Sequence, residues 1–180
     1  MKLVTERLHM LPLSEADIED IHILNSTEDV ARFNTIGIPG DLRDTRTLLQ
    51  PFFEAYGREV KSRYSWVIRY GQTADFLGEI GMNLAPQRYK MGKLYYNLLP
   101  VYWGKGYATE AVRAVLKFGF RVLKLHRMEA GCAVDNIASI RVLEKVGMQM
   151  EGQRRKVLPL QQGWSDNYEF AILDTDFDQI

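Results

Sequence analysis

The stretch from Lys93 to Leu123 constrains the fold most tightly, because its hydrophobic period changes from two to 3.6 within a few residues. Lys93–Leu99 reads as a strand, Pro100 ends it, Gly104 and Gly106 bracket Lys105 in a turn, and a helix begins near Gly106. Ala108, Ala111, Val112, Val115, Leu116, Gly119, Val122 and Leu123 fall on one face of that helix. Glu110, Arg113, Lys117, Arg121 and Lys124 fall on the other, acid first and bases last, as the helix dipole prefers. A strand that passes through a glycine turn into a helix N-terminus offers successive backbone N–H groups to an anion, so the turn is a candidate phosphate or pyrophosphate site. Two familiar phosphate loops do not match it. A P-loop requires Lys followed by Ser or Thr, and Lys105 is followed by Gly106. The dinucleotide fingerprint requires a third glycine where Thr109 stands, and it normally follows the first strand of its domain.

The remaining sequence frames this crossover. Arg7–Leu13 reads as a first strand, and Ser14 with Asp17 as a capping box opening a helix. Ile18, Ile21, Ile23 and Leu24 form the apolar face of that helix, Thr27–Phe33 adds a turn or two, and a further helix runs from Asp41 to about Tyr56. Tyr64–Tyr70 alternates as a strand, as does Asp75–Leu84 after it. Met128–Val134 is a strand, Asp135-Asn136 opens a second helix that Gly147 closes, and Gln149–Leu158 and Ser165–Leu173 form a final hairpin. The expectation is one α/β domain over residues 1–180 with a parallel crossover near its centre.

Composition narrows the function. With 180 residues, 46% of them hydrophobic, the chain can fill one core. Its 23 basic and 23 acidic residues balance, which opposes a role in gripping nucleic acid by its phosphates or in binding membranes through a basic surface. No apolar run approaches the ~20 residues of a bilayer span. Glu6 and Arg7 interrupt any apolar leader, so a cytoplasmic location is expected. The single cysteine, Cys132, allows no internal disulfide, and its place on the apolar side of a strand marks it as core packing. His9, His22 and His126 lack ligand spacing, so no metal is expected.

Trp103-Gly104-Lys105-Gly106-Tyr107-Ala108-Thr109-Glu110-Ala111 resembles the acetyl-CoA pyrophosphate loop of the GNAT superfamily of N-acetyltransferases, and in particular the branch of the ribosomal-protein-alanine acetyltransferases. The family loop is written [QR]-x-x-G-x-[GA]; Trp103 replaces Gln or Arg, with Gly106 and Ala108 at the small positions. A second match is the N-x-x-S-x-x-V-x-x-K-x-G pattern in Asn136–Met148, continued by Glu151-Gly152 and preceded at the other end by Thr5-Glu6-Arg7-Leu8. The resemblance spans nearly the whole chain. It implies the GNAT fold, a mixed, mostly antiparallel sheet of six to seven strands with flanking helices and a splayed central strand pair.

It also implies roles. Leu98 and Leu99 would offer backbone groups to the pantetheine arm of acetyl-CoA, and their N–H groups are candidate oxyanion donors. Trp103, Gly104, Lys105, Gly106, Tyr107, Ala108 and Thr109 would surround the pyrophosphate, and Asn136 and Ser139 would reach the pantetheine and its sulfur. Ser139 is the candidate proton donor to the leaving thiolate; the alternative is a local cap of its own helix. Glu79 is the leading candidate for the general base, with Glu151, Tyr96 and a water relay as the others. The expected acceptor is the α-amine of a protein or peptide N-terminus. At a pKa near 7.8, about a tenth of an α-amine is neutral at pH 7, whereas lysine needs roughly 3.5 kcal/mol more to deprotonate. A polyamine or aminoglycoside acetyltransferase is the enzymatic alternative, and a non-catalytic acyl-CoA sensor the other. The helices of Ser14–Tyr56 and the final hairpin would frame the acceptor, and a strand of that hairpin could pair with a second copy in a homodimer.

Overall fold

The computed structural model describes residues 1–56 and 62–179. It contains strands β1 (Leu3–Val4), β2 (Leu8–Pro12), β3 (Arg63–Tyr70), β4 (Phe76–Leu84), β5 (Met91–Leu98), β6 (Arg127–Ala133), β7 (Gln149–Leu160) and β8 (Gly163–Leu173). Helices are α1 (Ile18–Ser26), α2 (Glu28–Ala31), α3 (Leu42–Tyr56), α4 (Tyr107–Lys117), α5 (Ile137–Lys145) and α6 (Asp174–Phe177). The strands form a single sheet in the order β1-β2-β3-β4-β5-β6-β8-β7. All neighbours are antiparallel except β5 and β6, which the α4 crossover joins in parallel. Eight strands replace the expected six to seven, because Leu3–Val4 adds a short edge against Met10 and His9. Asp174–Phe177, read as nothing regular from the sequence, adds a last helical turn.

Each face of the sheet is covered. One carries Leu8, Met10, Ile68, Ile80, Met82 and Met128 against Val112, Val115 and Leu116 of α4 and Leu143 of α5. The other carries Leu13 and Val67 against Ile18, Ile21 and Leu24 of α1 and Leu49 of α3. Each Val or Leu side chain so buried contributes about 1.5–3 kcal/mol. The double covering explains why Ser65 and Val67 are as buried as Trp66 and Ile68 in β3, where simple alternation would leave one face wet. Ile23, expected in the core of α1, points outward and is 57% exposed. The helix of the crossover ends in a π-helical turn, Phe118–Val122, which lets Phe118 and Phe120 both bury.

The site depends on how β5 and β6 part. They pair at Met91–Arg127, Gly92–Met128, Lys93–Glu129 and Leu94–Ala130, and no further. Beyond Leu94, β5 stays bonded to β4 through Leu98, while β6 stays bonded to β8 through Ala133. The twist of each half therefore opens a wedge between Tyr95–Leu98 and Gly131–Ala133.

Candidate active site

The wall of the wedge on the β5 side follows from strand register. Leu99 donates its amide to the Leu77 carbonyl at 2.9 Å, and Ala85 donates to Met91 at 2.9 Å. Antiparallel alternation between those two points turns the backbone groups of Tyr96 and Leu98 away from β4 and into the wedge. The Leu98 amide thus faces the opening, whereas the Leu99 amide is already engaged. Of the two oxyanion donors expected from the sequence, the geometry leaves Leu98. Its carbonyl accepts the Trp103 indole N–H at 2.7 Å. Trp103 therefore closes the end of β5 over the turn, a part that Gln or Arg would play differently.

The turn itself consists of a 3-10 segment, Pro100–Tyr102, followed by Trp103–Gly106. Gly104 and Gly106 have φ of +72° and +82°, the left-handed region that costs an L side chain strain. A Cβ on Gly104 would meet nothing within 4 Å, and one on Gly106 an Arg7 nitrogen at 3.4 Å, so the space beside Gly104 is open and that beside Gly106 is bordered by Arg7. Gly106 caps α4, and Glu110 is the first residue to donate back, to the Gly106 carbonyl at 3.0 Å. The amides of Tyr107, Ala108 and Thr109 belong to the first turn and have no partner within the helix. This is the arrangement of backbone donors that an anion such as a phosphate group can use. Lys105 stands with its Nζ 5.7 Å from the Tyr102 ring, at the rim.

On the α5 side of the sheet, three polar groups meet inside the wedge. Asn136 caps α5 by accepting the Ser139 amide at 3.1 Å. The cap is therefore Asn136, and the Ser139 hydroxyl is released for other work. It lies 2.8 Å from the Tyr96 hydroxyl, which reaches across from β5. Burial pushes the Tyr96 phenol well above its ordinary value, against the hydrogen bond with Ser139. Tyr96 is thus protonated at neutral pH, which speaks against the expected role as a base. Burial likewise raises the Cys132 thiol to about 11, which keeps it protonated and inert, in line with its reading as core.

Glu79 lies on the opposite face of the sheet. Its cross-strand partners are Val67 and Asn97, so it points toward the α1 and α3 side, one residue along from the Leu98 amide. It is 7% exposed, burial raises its pKa, and the Asn97 amide donates to it at 3.1 Å, a weaker effect of opposite sign. Glu151, the second candidate base, is exposed and joined to Arg127, whose guanidinium holds its carboxyl below the usual range. Five carboxylates stand on β4–β8, and among the described residues four are ion-paired: Glu129 and Glu151 with Arg127, Asp166 with Lys156, and Glu169 with Lys93 and Arg154. Glu79 alone of these carries no basic partner.

Two positions at or beside the candidate site were not legible as such in the sequence. Asn97, the partner of Glu79, looks like any polar strand residue. Glu110, expected on the solvated face of α4, instead bonds Thr5 and Arg7 across more than a hundred residues. The signal for that contact was present in the Thr5-Glu6-Arg7-Leu8 match, but only the fold shows what the segment touches.

These features, a splayed parallel pair, an open glycine cradle at a helix N-terminus and a buried hydroxyl pair beside the gap, are those of an acyl-CoA-dependent acyltransferase. Comparison with known proteins agrees. The acetyltransferase (GNAT) domain profile matches residues 7–149, and the chain belongs to that family of acetyl-CoA-dependent N-acetyltransferases. The Bacillus subtilis (strain 168) protein YoaA, described as an uncharacterized N-acetyltransferase, is 30% identical over 156 residues, 87% of each chain. In fold the chain is similar to spermidine N-acetyltransferase from Vibrio cholerae, solved with CoA and spermine, at a TM-score of 0.84 and 18% identity over 96% of this chain and 99% of that one. It is equally similar to ribosomal-protein-S5-alanine acetyltransferase from Vibrio fischeri, at 0.83 and 19% identity over 98% of each.

Proposed function

We propose that this N-acetyltransferase acts on a single amine, the α-amine of a protein or peptide N-terminus, with Glu79 and Ser139 on opposite sides of the thioester. The observation that carries the reading is that Glu79 is, among the described residues, the one carboxylate of β4–β8 without a basic partner. Glu79 is buried with an amide for a partner, while its four neighbours on β4–β8 are neutralised by bases. One free carboxylate suits one amine, whereas an extended polycation calls for several. An α-amine also needs the least help in losing its proton.

The amine enters from the α1 and α3 side, and Glu79 accepts its proton. Its nitrogen bonds the thioester carbonyl carbon, and the Leu98 amide facing the wedge supports the charge that develops on the carbonyl oxygen. The carbon–sulfur bond breaks, and the Ser139 hydroxyl delivers a proton to the sulfur while accepting one from the Tyr96 hydroxyl. The proton held by Glu79 returns to solvent and Tyr96 is reprotonated, so the sum is amine plus acetyl thioester giving amide plus thiol. Tyr107, Ala108 and Thr109 at the start of α4 and the glycines before them hold the pyrophosphate, Asn136 lines the pantetheine channel, and Trp103 and Lys105 border the entry.

The test is thiol release from acetyl-CoA, with mass detection of product, on peptides with free or blocked N-termini beside spermidine and an aminoglycoside. Turnover confined to free α-amines supports the reading. Turnover confined to the small amines overturns the acceptor, and tight acetyl-CoA binding without turnover on any of them points to a sensor or to an acceptor outside the panel, and overturns the α-amine reading either way.

A further inference from the structure

We propose that Arg7 and Glu110 form a clamp that sets the pyrophosphate loop from behind, acting as positioning residues; this rests on the reading of that loop given above. Thr5-Glu6-Arg7-Leu8 is a tight turn, closed by the Thr5 amide on the Leu8 carbonyl at 3.0 Å and by the Leu8 amide on Thr5 Oγ1 at 3.0 Å. Glu110, in the first turn of α4, fits into this turn. It accepts from Thr5 Oγ1 at 2.6 Å, from the Arg7 amide at 3.0 Å and from Arg7 Nε at 2.7 Å, with Arg7 Nη2 also 2.7 Å away. Burial alone would raise the Glu110 pKa, but these donors together hold it below the usual range, so the carboxylate is charged throughout the neutral range.

The remaining face of Arg7 is applied to the loop. Its Nη1 donates to the Lys105 carbonyl at 3.1 Å, and its guanidinium stacks 4.6 Å from the centre of the Tyr107 ring. A peptide unit is planar and trans, so the Lys105 carbonyl and the Gly106 N–H point in opposite directions. Drawing that carbonyl toward Arg7 therefore aims the Gly106 amide to the side opposite Arg7, where the proposal seats a phosphate oxygen. The pair also solves an electrostatic problem. A bare carboxylate in the first turn of α4 would repel a pyrophosphate arriving at the same helix end, and the Arg7 guanidinium cancels it.

A merely structural ion pair and a loop-setting one differ in which ligand feels its loss. CoA carries the pyrophosphate, and pantetheine is the same arm without it. The experiment measures CoA binding by calorimetry and pantetheine binding by NMR titration, for the parent, Arg7→Ala and Glu110→Gln. The parent is expected to bind CoA far more tightly than pantetheine. Arg7→Ala should weaken CoA by about tenfold or more, the size of one charge-assisted hydrogen bond, and leave pantetheine within about twofold. Glu110→Gln, nearly isosteric and so safe for folding, should weaken CoA in the same direction by less. Equal losses on both ligands, or unchanged CoA binding, would overturn the clamp. Tighter CoA binding by Glu110→Gln would overturn it too, since Arg7 would then be a plain cation for phosphate that Glu110 only masks. A parent that does not prefer CoA to pantetheine would instead refute the reading of the loop itself.

Discussion

Gly106→Trp tests the cradle, with Gly37→Trp as its matched control. The two glycines have nearly the same backbone, φ +82° and +79°, and neither has a close neighbour: a Cβ meets one Arg7 nitrogen at 3.4 Å at Gly106 and nothing within 4 Å at Gly37. Folding should therefore suffer equally at both, by the ~1–2 kcal/mol an L residue pays in the left-handed region. For a chain of this length that is a fall in Tm of about 2–8 °C. Apart from the Arg7 contact and helix cap at Gly106, the two sites differ in what approaches them. At 100 times its Kd, acetyl-CoA should stabilise the parent by about 2.7 kcal/mol, or ~5–11 °C. Thermal melts with and without acetyl-CoA read both quantities in one experiment. Gly37→Trp should start lower and keep the full ligand shift, and Gly106→Trp should start equally low and lose it. A ligand shift retained in Gly106→Trp, with the fold intact, would refute the pyrophosphate assignment and the reasoning from the glycine turn.

Ser139→Ala should lower turnover by about 10²-fold with acetyl-CoA affinity little altered, measured by thiol release and calorimetry; a rate within twofold of the parent would leave Ser139 structural. Because Tyr96 acts through Ser139, Tyr96→Phe should cost less, and the double variant should be no slower than Ser139→Ala, whereas additive losses would uncouple the pair. Burial raises the Glu79 pKa, so the acid limb of kcat/KM should lie above the ordinary glutamate range and vanish in Glu79→Gln, as a pH–rate profile would show. The same shift has a stability sign. A carboxyl whose folded pKa is raised favours the fold most below its unfolded value and loses that contribution as pH rises through the folded one. The Tm difference between Glu79→Gln and the parent should therefore grow in favour of the variant from pH 4 to pH 8, and a constant or opposite difference would count against a buried ionisable Glu79.

The sequence by itself determined the frame: the strand–turn–helix crossover, the parallel pair it joins, the capping box at Ser14 and Asp17, and the glycines of the cradle. These are local. Hydrophobic period, caps and glycine turns act over a few residues, and the α/β frame and an anion-binding turn follow from them, whereas the fold family and the expected acetyl-CoA ligand follow from the motif resemblance. The tertiary structure decided what local signals do not carry. Which strand face is wet cannot be read from alternation when helices cover both faces, so the burial of Ser65 and Glu79 appeared only with α1 and α3 in place. Which of Leu98 and Leu99 has a free amide depends on cross-strand register, and register is set by β4. Whether Ser139 caps a helix or meets Tyr96 depends on Asn136 taking the cap and on β5 crossing over to it. Arg7 and Glu110 read separately as charges on two surfaces, and it is the sheet order, with β2 passing beside the start of α4, that makes them one ion pair. Polar roles of this kind are fixed by distance across the fold, and a chain read in one dimension does not contain that distance.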